Sequence, residues 1–175
     1  MSESSSANCV AVHQPLPVYL VHYNAPDWVR SACASIQLSD EPVELIVVNN
    51  SGGDLSLGPD VRVIESGGNL GYTGGANVAL RDWLGGDADT CVVGSHDLHV
   101  ARDALSQMKQ VLADNPDVGI AGPTLNHEPS MPEPSPGVED VAWVSGTCMM
   151  FRRTCIEQVG FFDERYRSYA EDFDI

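Results

Sequence analysis

Short apolar runs alternate along this chain with segments whose apolar positions recur every three or four residues. The first kind of pattern fits strands buried on both faces, and the second fits helices that bury one stripe. Read in order, "LPVYLVHY" (16–23) predicts a first strand. Asn24 is expected to cap a helix that has Pro26 in its first turn and carries Trp28, Val29, Ala32 and Ile36. "VELIVVNN" (43–50) and "VRVIES" (61–66) predict two more strands, and "GGNLGYTGGAN" (67–77) leads into a helix through Val78, Leu80, Trp83 and Leu84. "TCVVGS" (90–95) is a fourth strand, followed by an amphipathic helix over 101–116 and a short strand in "VGIAGP" (118–123). "VAWVSGTCMMF" (141–151) returns to strand character, and "RTCIEQVG" (153–160) to a short helix. This alternation predicts an α/β domain with a mainly parallel sheet flanked by helices.

Length and composition refine that picture. A chain of 175 residues, 43% hydrophobic, has the size of one soluble domain, here 15–175 behind a flexible polar tail over 1–14. "MSESSSANC" lacks a basic n-region, and no apolar stretch has the length of a transmembrane helix, so a cytoplasmic protein is expected. Five cysteines without a C-x-x-C pair argue against a disulfide framework or a zinc knuckle. The 123–141 stretch, rich in proline, glutamate and serine, reads as a flexible loop near a cleft.

Charge changes the picture more. Asp and Glu outnumber Lys and Arg 25 to 9, for a formal charge of −16. Such a surface repels nucleic acid, so no nucleic-acid role is expected. It also repels a nucleotide unless a divalent cation or backbone dipoles offset the field.

In an open α/β sheet ligands bind beyond the carboxyl ends of the strands. Three polar groups fall there: Asn49-Asn50, the glycine-rich 67–77 segment, and "SHDLH" (95–99). The glycine-rich segment is either a tight turn or a cradle of backbone N–H groups for a phosphate or sugar. Asp97 with His99, or with Ser95, can reach one Mg²⁺ or Mn²⁺ whose remaining positions a diphosphate fills, and His96 is read as a bystander. A solvated polar turn is the plainer alternative. Near the end, Glu171, Asp172 and Asp174 stand among Tyr166, Tyr169 and Phe173; acids packed among aromatics are candidates for a general base. Arg152 and Arg153 read as exposed residues at a helix start.

With these pieces in order, the chain resembles the family 2 glycosyltransferases of GT-A, Rossmann-like fold, in their rhamnosyltransferase-like branch. The resemblance rests on "VHYN" (21–24), "LIVVNNSGGD" (45–54), "NLGYTGGAN" (69–77), "SHDLHV" (95–100), "WVSGTCMMFRR" (143–153) and "VGFFDERYRSYAEDFDI" (159–175). It implies an inverting, metal-dependent transfer from a dTDP- or UDP-sugar to a hydroxyl acceptor in polysaccharide, glycolipid or cell-wall synthesis. Tyr23, Asn24 and Asn49 would lie by the base and ribose, with Asn69, Gly71, Asn77 and Ser95 lining the donor pocket. Gly146 would border the donor sugar. Asp97 and His99 would take the metal, Asp172 would be the base, and Glu171 would position it.

The acceptor implied is a glycan or lipid-linked sugar, the location the cytoplasm or the inner face of a membrane, and a homo-oligomer is left open. Two departures stand out: Asn49 where this family usually has aspartate, and Ser95-His96 where it usually has Asn/Asp-Pro. Family members also continue beyond "EDFDI", so the acceptor-shaping part is expected to be missing or supplied elsewhere. The rival readings are a non-catalytic or truncated nucleotide-sugar-binding module and a sugar nucleotidyltransferase. The latter would want a basic glycine-rich loop that "VHYNAPDWVR" does not offer.

Overall fold

A computed structural model of the protein describes residues 14–125 and 137–175. The expected tail up to residue 13, Cys9 within it, and the 126–136 part of the proline-rich stretch lie outside the described residues. Six strands and four helices follow in the order β1 (Leu16–His22), α1 (Pro26–Ile36), β2 (Val43–Asn49), β3 (Val61–Glu65), α2 (Gly71–Leu84), β4 (Thr90–Ser95), α3 (Ala104–Asp114), β5 (Ile120–Ala121), β6 (Cys148–Arg152) and α4 (Arg153–Val159). A single 3-10 turn covers Glu171–Phe173.

The strands form one sheet in the order β3-β2-β1-β4-β6-β5. β3, β2, β1 and β4 run parallel, and β6 lies antiparallel to both β4 and β5. Strand order reverses at β1, which pairs β2 on one side and β4 on the other, and that reversal opens a crevice at the strands' carboxyl ends. All seven residues of β1 are buried, because helices cover both faces of the sheet. Leu16, Val18 and Leu20 point to the face packed with Val29, Ala32 and Ile36 of α1 and Leu105 and Leu112 of α3. Tyr19 and Val21 point to the other, packed with Ala76, Leu80 and Trp83 of α2 and Ile156 of α4.

Several local expectations change. Asn24 does not cap α1: Ala25 is the N-cap residue and Pro26 opens the helix. Asn24 sits instead in the left-handed region at φ 47°, which Asn tolerates better than most residues, and its N–H donates to Ser51 Oγ at 2.8 Å. Helix α2 starts inside the glycine-rich segment, at Gly71. Residues 141–147 are irregular, and the strand begins only at Cys148.

Arg152 and Arg153 are not exposed helix-start residues. Arg152 Nε donates to Val118 O at 2.9 Å and its Nη2 to Asn115 O at 3.1 Å, closing the end of α3. Arg153 donates to the carbonyls of Trp83, Leu84, Gly86 and Ala88 at 2.8–3.2 Å, closing the end of α2. Orphan carbonyls at a helix end need such donors, and a guanidinium supplies several at once. Cys33, Cys91 and Cys148 are free and buried, acting as small apolar residues; burial pushes the Cys148 thiol up to about 12.

Candidate active site

The crevice has two parts, built from different elements. The first lies at the ends of β1 and β2. There a cleft of about 300 Å³ is lined by His22, Asn24, Asn49, Ser51, Asp54 and Leu55. Asn49 is fully buried and its amide is saturated. Its Nδ2 donates to Gly53 O at 2.7 Å and to both Glu65 oxygens at 3.0 and 3.1 Å, while Oδ1 accepts from Ser51 N at 3.1 Å. The residue therefore shapes the 50–54 loop, and Glu65 of the neighbouring strand supplies a carboxylate beside it. Tyr23 is half exposed at the lip. His22 is 2% exposed, with Nδ1 lacking a hydrogen-bond partner among the described residues. Burial, then His96 and Arg30, hold its imidazole below the usual histidine range.

The start of α2 joins the two parts. Asn69 Oδ1 accepts from Gly71 N at 2.9 Å, and Tyr72 N donates to Ser168 Oγ at 3.3 Å. Gly71 has φ +75°, and a Cβ there would run into the backbone of Arg167, so only glycine fits. The first N–H groups of α2 thus have partners within the chain, and the 167–168 segment lies over them. Most of the glycine-rich stretch, from Gly71 on, is thus helix and not an open loop. Asn77 is buried further along α2: its Nδ2 donates to Phe162 O at 2.9 Å and Glu164 Oε1 at 3.1 Å, and its Oδ1 accepts from Phe162 N at 3.1 Å. It holds the 160–164 segment against the helix and does not line the cleft.

The second part lies at the end of β4 and the turn before β6. Ser95 Oγ donates to Asp97, which is exposed, and His96 Nδ1 lies 3.1 Å from Val21 O. His99 Nε2 is 3.3 Å from Ser31 Oγ on α1, so its ring addresses that helix. Beyond the 167–168 segment, the chain enters the 3-10 turn through two successive left-handed residues, Tyr169 and Ala170, both at φ 69°. Non-glycine residues pay strain there, and the turn delivers Glu171 and Asp172 side by side.

Asp172 Oδ2 accepts from Gly146 N at 3.0 Å. Glu171 is 5% exposed and its Oε2 has no partner among the described residues. Burial, with the Asp172 charge adding, raises its carboxyl above the usual range. Tyr72, from α2, donates its hydroxyl to Gly146 O. Burial, then the Glu171 carboxylate and other nearby acids, push that phenol far up. Gly146, Glu171 and Asp172 therefore share one centre, and Ser95, which holds Asp97, donates its N–H to the adjacent Thr147 O at 3.0 Å; Asn24 and Asn49 lie at the other end of the crevice.

Tyr72 and Glu65 were not singled out from sequence. Tyr72 stands in the quoted "GYTGG" motif, where nothing marks a hydroxyl as functional. Glu65 ends a strand like any solvated acid. Among the described residues no three His, Cys, Asp or Glu converge to cage a metal ion. No helix of the described residues is long and apolar enough to cross a membrane.

No family model matches the chain. It is 26% identical to N-acetylglucosaminyl-diphospho-decaprenol L-rhamnosyltransferase of Mycobacterium tuberculosis, over 91% of this chain and 68% of the relative. It is 23% identical to the low-salt glycan biosynthesis hexosyltransferase Agl10 of Haloferax volcanii, over 91% of this chain and 59% of that protein. Among solved structures, the mannosyltransferase PcManGT from Pyrobaculum calidifontis, in complex with GDP-Man and Mn²⁺, superposes with a TM-score of 0.66 at 21% identity, covering 85% of this chain and 47% of its own. S. aureus TarS in complex with UDP superposes at 0.68 and 17% identity, covering 91% and 53%. The chain thus spans about half the length of these solved structures. By fold it is a GT-A protein, and in sequence it is similar to a rhamnosyltransferase and a hexosyltransferase.

Proposed function

We propose that this domain carries the donor site and base of an inverting sugar transferase that uses a nucleoside-diphosphate sugar, dTDP- or UDP-linked. The observation that carries the reading is the carboxylate centre, with Asp172 pinned by Gly146 N–H beside a buried Glu171, while Ser95, which holds Asp97, bonds the neighbouring Thr147. Asp172 Oδ1 takes the proton of the acceptor hydroxyl. The oxygen then bonds to the anomeric carbon as the bond to the diphosphate breaks, and one such displacement inverts the configuration. The relatives' names, one of which specifies a decaprenol-linked sugar, support an acceptor in glycan or cell-wall assembly, reached in the cytoplasm or at the inner face of a membrane.

Asp97 offers one hard carboxylate, held by Ser95, which fits a Mg²⁺ or Mn²⁺ shared with diphosphate oxygens and not a resident cage. His99, engaged with Ser31, is left out of that set. Such a cation, when bound, neutralises charge on the departing diphosphate. The protein has few alternatives. Of its nine cationic side chains, all but Arg102 are engaged with carboxylates or backbone carbonyls away from Asp97. His22, Asn24 and Asn49 line the cleft assigned to the base and ribose, with Tyr23 at its lip.

The saturated Asn49 amide favours a second reading, a nucleotide-sugar-binding module without turnover. Calorimetric titration with UDP, dTDP and GDP, each with and without Mn²⁺, tests the donor site. One nucleotide should bind, more tightly with Mn²⁺, and Asp97→Ala should remove the Mn²⁺ enhancement. Binding of none of the three would sink both readings.

A further inference from the structure

The carboxylate centre depends on a glycine, the residue least able to hold its own conformation, and a neighbouring hydroxyl corrects this. Gly146 N–H donates to Asp172 Oδ2 at 3.0 Å, while Gly146 O accepts from the Tyr72 hydroxyl. These two atoms belong to the two peptide planes that flank the Gly146 Cα. Fixing both planes removes the freedom of both Gly146 torsions, a freedom larger for glycine than for any other residue. A side chain here would crowd the acids. A Cβ at this position would lie 3.1 Å from Glu171 Oε1, 3.4 Å from Tyr72 Cε1 and 3.7 Å from the Asp172 Cβ. The site thus trades a side chain for proximity and takes its rigidity from α2.

We infer that Tyr72 is a positioning residue: its hydroxyl locks the Gly146 peptides so that the Gly146 N–H presents Asp172 in one orientation. The role in turnover rests on the transferase reading above; the structural coupling does not. Burial and the surrounding carboxylates keep the phenol protonated, so it remains a donor wherever the protein is folded. The Tyr72 backbone N–H is itself tied to Ser168, three residues before Glu171, so the same residue addresses both sides of the turn that carries the acids.

The test is NMR on the whole chain, with kinetics beside it. In unmutated protein the Tyr72 hydroxyl proton should exchange slowly and show a cross-peak to Gly146; failure to see either overturns the proposal without any variant. In Tyr72→Phe, which keeps the ring, exchange of the Gly146 amide should speed up about tenfold. The Met149 and Met150 amides of β6 and the melting temperature should stay within error. An unchanged Gly146 amide overturns the proposal. Where turnover is measurable, kcat should fall about ten- to a hundredfold with the donor KM and nucleotide Kd within twofold. A KM effect with kcat intact also overturns it. If Asp172→Asn leaves turnover untouched, the transferase reading fails, while the hydroxyl and amide signals still decide the coupling.

Discussion

The two ends of the crevice treat polar side chains in opposite ways. At the β1–β2 end, Asn49 spends both its amide protons and its carbonyl inside the protein, and Asn77, deeper on α2, does the same. At the β4–β6 end, Glu171 is buried with an oxygen unpartnered, and Asp172 is held through one oxygen only. An amide with both protons spent and its oxygen already accepting has little capacity left for a ligand and works as scaffold. An unsatisfied buried carboxylate costs stability, and that cost is ordinarily retained where chemistry needs it. Two residue types that look equally functional in a sequence are thus separated by where their hydrogen bonds go.

Substitutions can break this contrast, and the largest effect is expected at the unsatisfied end. Asp172→Asn should lower turnover about 10²- to 10⁴-fold while nucleotide affinity, measured by calorimetry, stays within twofold. A binding module would show no such split. At the saturated end the loss should be in stability. Asn77→Ala strips partners from the Phe162 N–H and C=O and should cost about 2–3 kcal/mol in urea unfolding.

Asn49→Asp is a subtler probe, because it places a second carboxylate against Glu65. It should cost about 1–2 kcal/mol at pH 7. The cost should shrink as pH falls toward the ordinary carboxyl range near 4, where one of the pair takes a proton. Urea midpoints at the two pH values check it. A neutral result would mean that Asn49 is exchangeable with the family's aspartate after all.

The smallest effect concerns His22. Its folded pKa is lowered, so as pH falls through the ordinary histidine range near 6.5 the unfolded chain takes up the proton first. Its neutral burial therefore supports the fold fully above that range and less below it. The urea midpoint should drop more between pH 7 and 5 in the unmutated protein than in His22→Gln.

Much of the architecture was legible in the apolar pattern. The strands predicted at 16–23, 43–50, 61–66 and 90–95 end within a residue of β1, β2, β3 and β4, because strands buried on both faces leave unmistakable runs. Helix ends were less legible. Glycines 71, 74 and 75 look like a loop, yet they are helical, since α2 has to start under the 167–168 segment where only a bare Cα fits at Gly71. Arg152 and Arg153 look like solvated charges, because the carbonyls they close belong to helices about 40 and 70 residues earlier.

Of the candidate site, Gly146 and Asp172 are brought together with Glu171 beside them, where only the resemblance, and no spacing between motifs 26 residues apart, puts them in one site. Asn77 was not, for a motif records that a residue is needed and not which neighbour needs it. Tyr72 was invisible for a related reason. Its ring explains its place in the core, and only the position of Gly146 O gives its hydroxyl a purpose.

The order of the sheet carries one last consequence. Among the described residues its outermost strands are β3 and the two-residue β5. Open edges invite a second chain to add on. Here one edge is too short to template a partner, and the other presents Arg62, tied to Asp82 and Glu44, and Glu65, tied to Asn49. A strand approaching β3 would have to lay its side chains against this charged row, so concentrated protein should resist edge-to-edge aggregation.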